Sequence, residues 1–146
     1  MAVSRTGKRI LIGAVVLAAA VALLAYLRDP PWLLTYSSGF GEWRRDPEGV
    51  RFRWMGGHAS FFVPSNARGL DVPLRTSFAP GDWPIAASIT IDSRESGRIV
   101  MADGEWHTVS LRLPPPGGRR VRRIDIRLDR LREEDRGVIV GEPRIR

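Results

Sequence analysis

The sequence predicts an all-β protein, an antiparallel jelly-roll sandwich preceded by one N-terminal transmembrane helix. Three observations predict it. An uncharged apolar run of 18 residues, 10–27, stands near the N-terminus. Beyond it, short segments alternate apolar and polar residues with the period of a half-buried strand, and no amphipathic helical pattern exceeds two turns. Glycine- and proline-rich breakers separate these segments at intervals of about ten residues, which is typical of a sandwich.

The apolar run is long enough for a helix to cross about 30 Å of hydrocarbon. Arg5, Lys8 and Arg9 precede the run, whereas Arg28 is the single basic residue close behind it. The excess of positive charge predicts a cytoplasmic N-terminus and an extracytoplasmic C-terminal domain, in a single-pass protein of the cell membrane. A proline pair at 30–31 marks the end of the helix, because proline cannot continue it.

A cleaved secretory signal is the alternative for this segment. Small residues at 18–22 offer peptidase sites, although they lie inside the apolar run. In both cases the domain lies outside the cytoplasm. We expect four parts: a basic cytoplasmic segment at 1–9, the transmembrane signal anchor at 10–27, a juxtamembrane linker at 28–41 and the β-sandwich at 42–146.

Composition excludes several classes of protein. The chain has no cysteine, which excludes a disulfide framework, a thiolate metal site and a cysteine nucleophile. The net charge of +7 does not predict a nucleic-acid partner, because three of the positive charges flank the membrane segment and the domain faces outward.

Eight strands are predicted within the domain. Glycine pairs and turns such as Gly56-Gly57 and the hairpin turn Asp103-Gly104 separate them, and 130–136 is a charged, solvated loop. In the seventh strand one register shift is expected near Arg122 and Arg123. In the sixth strand His107 shares the core-facing side with Val109, Leu111 and Leu113. The predicted strands are 50–54, 59–63, 69–78, 85–92, 98–101, 106–113, 121–128 and 138–145.

The order of aromatic, glycine and proline signals resembles a known family. The segments that carry the resemblance are 36–42, 50–54, 56–64, 102–106, 109–114 and 135–140. Together they resemble galactose-binding-like jelly rolls of the carbohydrate-binding-module kind, which occur on bacterial membrane-anchored envelope proteins. The resemblance implies a noncatalytic domain whose partner is a glycan or a membrane glycosyltransferase-type protein. It carries over no individual binding residue, because sugar contacts in this fold lie on variable loops.

No motif predicts catalysis, a metal site or a cofactor. HExxH, GxSxG and phosphate-loop patterns are absent, and His58 and His107 are the only histidines. Acidic pairs such as Asp103 and Glu105 arise readily by chance among 16 acidic residues. We therefore predict no catalytic residue, no metal ligand and no cofactor.

The candidate ligand-binding residues are two tryptophans predicted to lie in loops, with their polar neighbours. Exposed aromatic faces stack on sugar rings, so Trp43 beside Arg44 and Trp83 beside Asp82 are the candidate platforms. Each loop tryptophan has an alternative role as a plug at one end of the sandwich. The other tryptophans of the domain, at 54 and 106, are predicted to pack in the core or on a sheet face.

A basic cluster follows the proline-rich loop. Its members are Arg119, Arg120, Arg122 and Arg123. They are candidates for contact with anionic lipid headgroups or acidic wall polymers. The alternative is a set of outward arginines that keeps an edge strand soluble.

The leading functional hypothesis is a noncatalytic membrane protein that presents a β-sandwich to a glycan or an envelope partner. A structural or assembly subunit of a membrane complex is the second hypothesis, with the small helix residues Gly13, Ala14, Ala18 and Ala22 as the packing face. A small hydrolase is the third, and it requires a cleft with converging acids.

Overall fold

The computed structural model describes residues 5–130 and 137–146. Most of the predicted solvated loop at 130–136 and the first four residues therefore lie outside the described residues. The chain divides into two compact units, Met1–Leu33 and Leu34–Arg146. The basic side chains of Arg5 and Lys8, on which the topology prediction partly depends, are also not described.

The first unit contains the helix α1, Arg5–Arg28, and a short 3-10 helix, Pro31–Thr35, follows it across the unit boundary. The predicted end of the helix before the proline pair is confirmed, since α1 ends at Arg28. Its apolar side chains are exposed all round, and its most apolar window has a mean hydropathy of 2.8. Length and composition suffice for a membrane span, and a secretory signal sequence meets the same criterion.

The second unit is an antiparallel β-structure, which confirms the predicted fold class. Its strands pair in the order β5-β4-β7-β2-β8-β3-β6, with β1 added beside β2 and β9 beside β3. The described residues thus form a near-barrel sandwich. The strands are β1 Ser37–Arg45, β2 Arg51–Pro64, β3 Gly69–Thr76, β4 Ile85–Ile91, β5 Arg94–Met101, β6 His107–Arg112, β7 Val121–Leu128, β8 Val138–Gly141 and β9 Arg144–Ile145.

The core consists of inward-facing residues that alternate along the strands. In β3, Leu70, Val72 and Leu74 are fully buried, and the same period continues in β4 and β7. Each fully buried aliphatic side chain contributes about 1.5–3 kcal/mol of hydrophobic stabilisation. In β6, the predicted parity is confirmed, since Leu111 is buried and Val109 packs against the core.

The long strand β2 connects the two halves of the sandwich. It pairs with β8 through Phe52–Met55 and with β7 through His58–Pro64. The predicted break at Gly56-Gly57 is therefore wrong, although the partner strand does change there. Strand β1 follows β2 through this change at Gly39, whose φ is +74°. A Cβ atom at Gly39 would collide with the carbonyl oxygen of His58, so the close approach requires glycine.

Three further boundaries differ from the sequence prediction. Strand β1 lies partly within the expected linker, because its serines and glycines give no apolar alternation. Strand β5 begins at Arg94, since the preceding turn needs only Asp92 and Ser93, both with positive φ. The last predicted strand is split into β8 and β9 around Pro143, which has no N–H to donate to a ladder.

The register shift predicted in β7 and the hairpin turn predicted at Asp103-Gly104 are both absent from the structure. Strand β7 pairs with β2 in continuous register. No shift is needed to keep Arg122 out of the interior, because its side chain is buried. Asp103-Gly104 is not a hairpin turn, since β5 and β6 stand at opposite ends of the strand order and do not pair.

Candidate ligand-binding cleft beside Trp43

The candidate site is built on the antiparallel pair of β1 and β2. Trp43 stands opposite Arg53, and Arg45 stands opposite Arg51. Directly opposed residues and residues two apart share one face of a sheet, so Trp43, Arg51 and Arg53 lie on the same face. The prediction that Trp43 lies in a loop is wrong, because it belongs to β1, but 39% of the residue remains exposed.

Two guanidinium groups hold the indole of Trp43. The guanidinium carbon of Arg53 is 4.3 Å from the centroid of the Trp43 ring and 4.1 Å from that of Phe40. The guanidinium carbon of Arg51 is 4.7 Å from the Trp43 ring. Each such contact is an attraction between a cation and the electron-rich ring face. The indole is therefore fixed before any ligand arrives.

Arg53 also makes a hydrogen bond across the pair. Its Nη1 donates to the Oγ of Ser37 at 2.8 Å. Burial lowers the pKa of the Arg53 guanidinium from its ordinary value, but an arginine remains protonated at neutral pH. The site therefore keeps a positive charge in a partly dehydrated position.

A cleft of about 280 Å³ opens beside these residues. Phe61 and Val63 are buried and form its apolar part, whereas Tyr36 is 51% exposed at its rim. The rings of Tyr36 and Phe62 are 6.4 Å apart. The full lining is Leu34, Thr35, Tyr36, Ser37, Trp43, Arg53, Phe61, Phe62, Val63, Glu142, Pro143 and Ile145.

The groups that line the cleft can make both apolar and polar contacts with a ligand. Aromatic rings offer faces for the C–H surface of a sugar ring, and the guanidinium, hydroxyl and carboxylate at the rim can bond its hydroxyls. Glu142 is the one carboxylate in the lining, 3.5 Å from Arg51 Nη1, whereas glycoside hydrolysis uses a pair of carboxyl groups. Among the described residues, no group of three or more histidines and acids could hold a metal ion.

The other residues of the predicted platforms do not line this cleft. Arg44 stands opposite Phe52, one position along from Trp43, so it lies on the other face of the sheet. Asp82 and Trp83 belong to the β3–β4 connection, where a short 3-10 helix covers Pro80–Asp82. The Nε1 of Trp83 donates to the carbonyl of Phe78 at 3.1 Å, and its ring packs against the core.

The remaining tryptophans of the domain pack as the sequence predicted. Trp54 makes an edge-to-face contact with Phe52 at 6.2 Å between ring centroids. A Cβ atom at Gly141 would lie 3.5 Å from the Trp106 ring, so the indole is close to this glycine, and the guanidinium of Arg75 is 6.0 Å from the ring centroid. Both tryptophans are partly buried on a sheet face.

The structure does not bring the four arginines after the proline-rich loop into one outward cluster. Arg122 is 6% exposed and donates to Asp92 at 3.0 Å. Arg123 is paired with the carboxylate of Asp125 at 2.8 Å. Arg119 and Arg120 are exposed, and each has an interaction with another group.

Sequence reasoning missed the polar residues that line the cleft with Trp43, namely Ser37, Arg53 and Glu142. The alternation at 51–54 did predict a strand, and with it an arginine on one face. Its position opposite Trp43 depends on the pairing with β1, and the residues of β1 carry no strand signal.

No protein-family model and no curated protein matches this sequence. Several solved structures share its fold. A carbohydrate-binding module described as recognising mannan, TmCBM27, has 14% identity and a TM-score of 0.53, over 75% of this chain and 86% of that one. The EclA C-terminal domain, described as a sugar-binding protein, has 13% identity and a TM-score of 0.51, over 72% of this chain and 90% of that one.

A larger enzyme contains a similar domain. A family two carbohydrate esterase from Clostridium thermocellum, in complex with cellohexaose, has 8% identity and a TM-score of 0.50, over 76% of this chain. The present chain spans 31% of that enzyme's length. Identities this low establish the fold and not the ligand. The chain therefore has a jelly-roll fold of the carbohydrate-binding-module type, as the sequence predicted.

Proposed function

We propose that this chain is a noncatalytic, single-pass membrane protein whose extracytoplasmic sandwich binds a glycan in the cleft beside Trp43. The observation that carries the proposal is the indole of Trp43, held by Arg51 and Arg53 at a cleft with a polar rim. The sugar-related descriptions of the structural neighbours support the same class of ligand.

The cleft offers each kind of contact that a sugar ring needs. Tyr36 and the exposed part of the Trp43 indole, which Arg51 and Arg53 contact on the ring, supply apolar surface. Arg53 has five N–H donors. One of them donates to Ser37 in the described structure, so others can donate hydrogen bonds to sugar hydroxyls. Glu142 is exposed and accepts hydrogen bonds. Because these side chains are already ordered, little conformational entropy is lost on binding.

In this proposal α1 is the anchor. A span of hydropathy 2.8 next to a basic N-terminal segment favours a membrane helix with its N-terminus inside. The sandwich would then lie among envelope glycans and close to membrane partners of the glycosyltransferase type. Nucleic acid is not a partner in this proposal.

The test is a binding screen with the full chain in nanodiscs of zwitterionic lipid, which avoids sugar-based detergents. Neutral oligosaccharides are presented to the native chain and to Trp43→Ala and Trp54→Ala variants. We expect saturable binding, weakened at least about tenfold by Trp43→Ala and changed little by Trp54→Ala, because Trp54 packs on the opposite face.

Thermal unfolding of each variant shows whether the sandwich is intact. A folded native chain that binds none of the oligosaccharides would contradict the proposal. In that case an assembly role, with helix packing through the small residues of α1, becomes the leading account.

A further inference from the structure

A second, larger groove lies on the sandwich, away from the Trp43 cleft. It has a volume of about 960 Å³, within the range of ligand pockets in proteins. It lies between three segments: the β2–β3 loop, the β4–β5 hairpin and the proline-rich segment after β6. Its lining is Asn66, Ala67, Arg68, Ile91, Arg94, Glu95, Ser96, Arg112, Leu113, Pro114, Pro115 and Pro116, and it shares no residue with the Trp43 cleft.

One buried side chain fixes two walls of this groove. The guanidinium of Arg122 donates to Asp92 Oδ2 at 3.0 Å, to the carbonyl of Pro114 at 2.9 Å and to the carbonyl of Pro115. Asp92 also accepts a hydrogen bond from the backbone N–H of Arg123 at 3.0 Å. The β4–β5 turn and the proline segment are thus tied to the same strand, so the groove is formed before a ligand binds.

The groove is positively charged. Arg68, Arg94 and Arg112 line it against a single carboxylate, Glu95. All three arginines are exposed, and their guanidinium groups make no hydrogen bond or ion pair with another described residue. A guanidinium binds a carboxylate or phosphate through two parallel hydrogen bonds, so each of these groups is an available oxyanion site.

The row of arginines continues beyond the groove. Arg68 and Arg112 also line an adjoining depression of about 400 Å³, together with Arg146. They are brought together because Gly69 pairs with Arg112 across β3 and β6. Arg146 Nη2 lies 2.9 Å from Asp71 Oδ1, so it is partly neutralised. Cationic groups repeated along a continuous path match a polymer with repeated anions better than one small ion.

The shape of the groove favours a polymer chain over a membrane surface as its ligand. Ala67, Ile91 and Leu113 are buried and form an apolar floor, and Pro114–Pro116 form one side. A sugar ring can pack against such a surface, whereas a flat lipid surface cannot enter a groove.

We propose that this groove binds an acidic polysaccharide, with Arg68, Arg94 and Arg112 bonding successive carboxylate or phosphate groups. The proposal is independent of glycan binding beside Trp43. The apolar floor and the proline side contact the sugar rings, and the guanidinium groups select for charge.

The experiment uses the full chain in phosphatidylcholine nanodiscs and three probes: an oligogalacturonate, the methyl ester of the same oligomer, and a poly(glycerol phosphate). The groove variant is Arg68→Gln/Arg94→Gln/Arg112→Gln. The matched control, Arg44→Gln/Arg98→Gln/Arg127→Gln, removes the same charge from exposed arginines that line neither depression.

We expect saturable binding of at least one anionic probe, at least about tenfold weaker binding of the methyl ester when the oligogalacturonate binds, and a loss of at least about tenfold in the groove variant. The control variant should stay within about threefold of the native chain. Preference for the oligogalacturonate identifies carboxylate as the natural group, and preference for the other polymer identifies phosphate.

Several results would overturn the proposal. Equal losses in the groove and control variants would show that net charge alone is responsible. Equal binding of the acid and its ester would exclude charge recognition, and binding of neither anionic probe would exclude an acidic polysaccharide as the ligand. Should the triple variant unfold, the single reversal Arg94→Glu on the exposed β5 hairpin applies the same test, with the same expected loss.

Discussion

Arg53 determines the shape of the cleft at the scale of single residues. Its guanidinium contacts the rings of Phe40 and Trp43 and bonds the hydroxyl of Ser37. Arg51 also contacts Trp43, but its charge is paired with Glu142 at an exposed position. The two arginines therefore differ in burial and in the number of groups that they hold.

Replacing Arg53 tests this difference. We expect Arg53→Met to lower the free energy of unfolding by about 1–3 kcal/mol, because two cation–π contacts and one charged hydrogen bond are lost. Arg51→Met should cost less than about 1 kcal/mol, since exposed ion pairs contribute little. Urea unfolding of both variants measures the losses. Equal losses would show that Arg53 does not organise the cleft.

Asp103 makes the stability of the domain depend on pH in the acid range. Its carboxylate accepts hydrogen bonds from His107 Nε2 at 2.6 Å and from the backbone N–H of Glu105 at 3.0 Å. These bonds, with that from His107 the stronger influence, hold the pKa of Asp103 below its ordinary value. A lowered folded-state pKa stabilises the fold above the unfolded-state pKa of about 3.9, and the effect is lost as pH falls through the folded-state pKa.

We therefore expect Asp103→Asn to be slightly less stable than the native chain at pH 6. The difference should shrink as the pH falls from about 5 and should disappear below the folded-state pKa, where both chains are uncharged at this position. Urea unfolding across this range measures the difference. A difference that stays constant with pH would mean that the carboxylate charge at position 103 contributes nothing.

Among single residues, Trp43 was a candidate binding residue from the sequence, whereas its environment was not predictable. An aromatic side chain between a glycine-rich segment and two arginines indicated a recognition residue. Its burial depends on cross-strand neighbours, which only the register of β1 against β2 determines. Trp83 had the same sequence signals, yet it packs against the core and bonds a backbone carbonyl.

At the scale of elements, the bend of β1 at Gly39 allows one strand to follow both halves of β2. The backbone there has a positive φ and lies against the carbonyl of His58. Gly118 has a similar φ of +76° but lies in open space. A side chain at either glycine would strain the backbone, but only at Gly39 would it also collide with a neighbouring atom.

We expect Gly39→Ala to lower the free energy of unfolding by about 3 kcal/mol or more, because strain and collision add. Gly118→Ala should cost about 1–2 kcal/mol, from the strain of the positive φ alone. Chemical unfolding of both variants provides the comparison. Similar losses would show that β1 can move away from His58, and that the bend does not depend on glycine.

Strands with strong alternation were predictable from the sequence, and strands at the edges were not. β4 and β7 carry isoleucines at alternating core positions, so the sequence located both. β1 has one exposed side and small residues, so tertiary pairing rather than local pattern forms it. Gly56-Gly57 has the sequence signal of a loop, but in the structure it marks a change of partner within β2.

At the scale of the whole molecule, the sequence predicts the apolar helix more directly than it predicts the orientation of that helix in a membrane. The sequence identified the apolar helix because 18 uncharged residues leave few alternatives. Orientation depends on the few charges that flank the helix, and its retention depends on whether a peptidase acts within it. These properties need a measurement in cells.

Because the chain has no cysteine, single introduced cysteines report topology without background. We expect a membrane-impermeant maleimide to label Glu48→Cys, in the exposed β1–β2 turn, and not Ser4→Cys in intact cells. Both proteins should stay in the membrane fraction at full length. Labelling of position 4 alone would show that the topology is the reverse of the predicted one. A shortened chain that is released from the membrane fraction would show that the helix is a cleaved signal.

Glycan binding beside Trp43 is tested most directly by observing which tryptophan contacts the glycan. The full chain in nanodiscs, labelled with 5-fluorotryptophan, should give one fluorine signal for each of its five tryptophans, and Trp43→Phe assigns one of them. On titration with an oligosaccharide from the binding screen, we expect a saturable shift of the Trp43 signal, with the signals of Trp54 and Trp106 unchanged. A saturable shift elsewhere with Trp43 unmoved would contradict it.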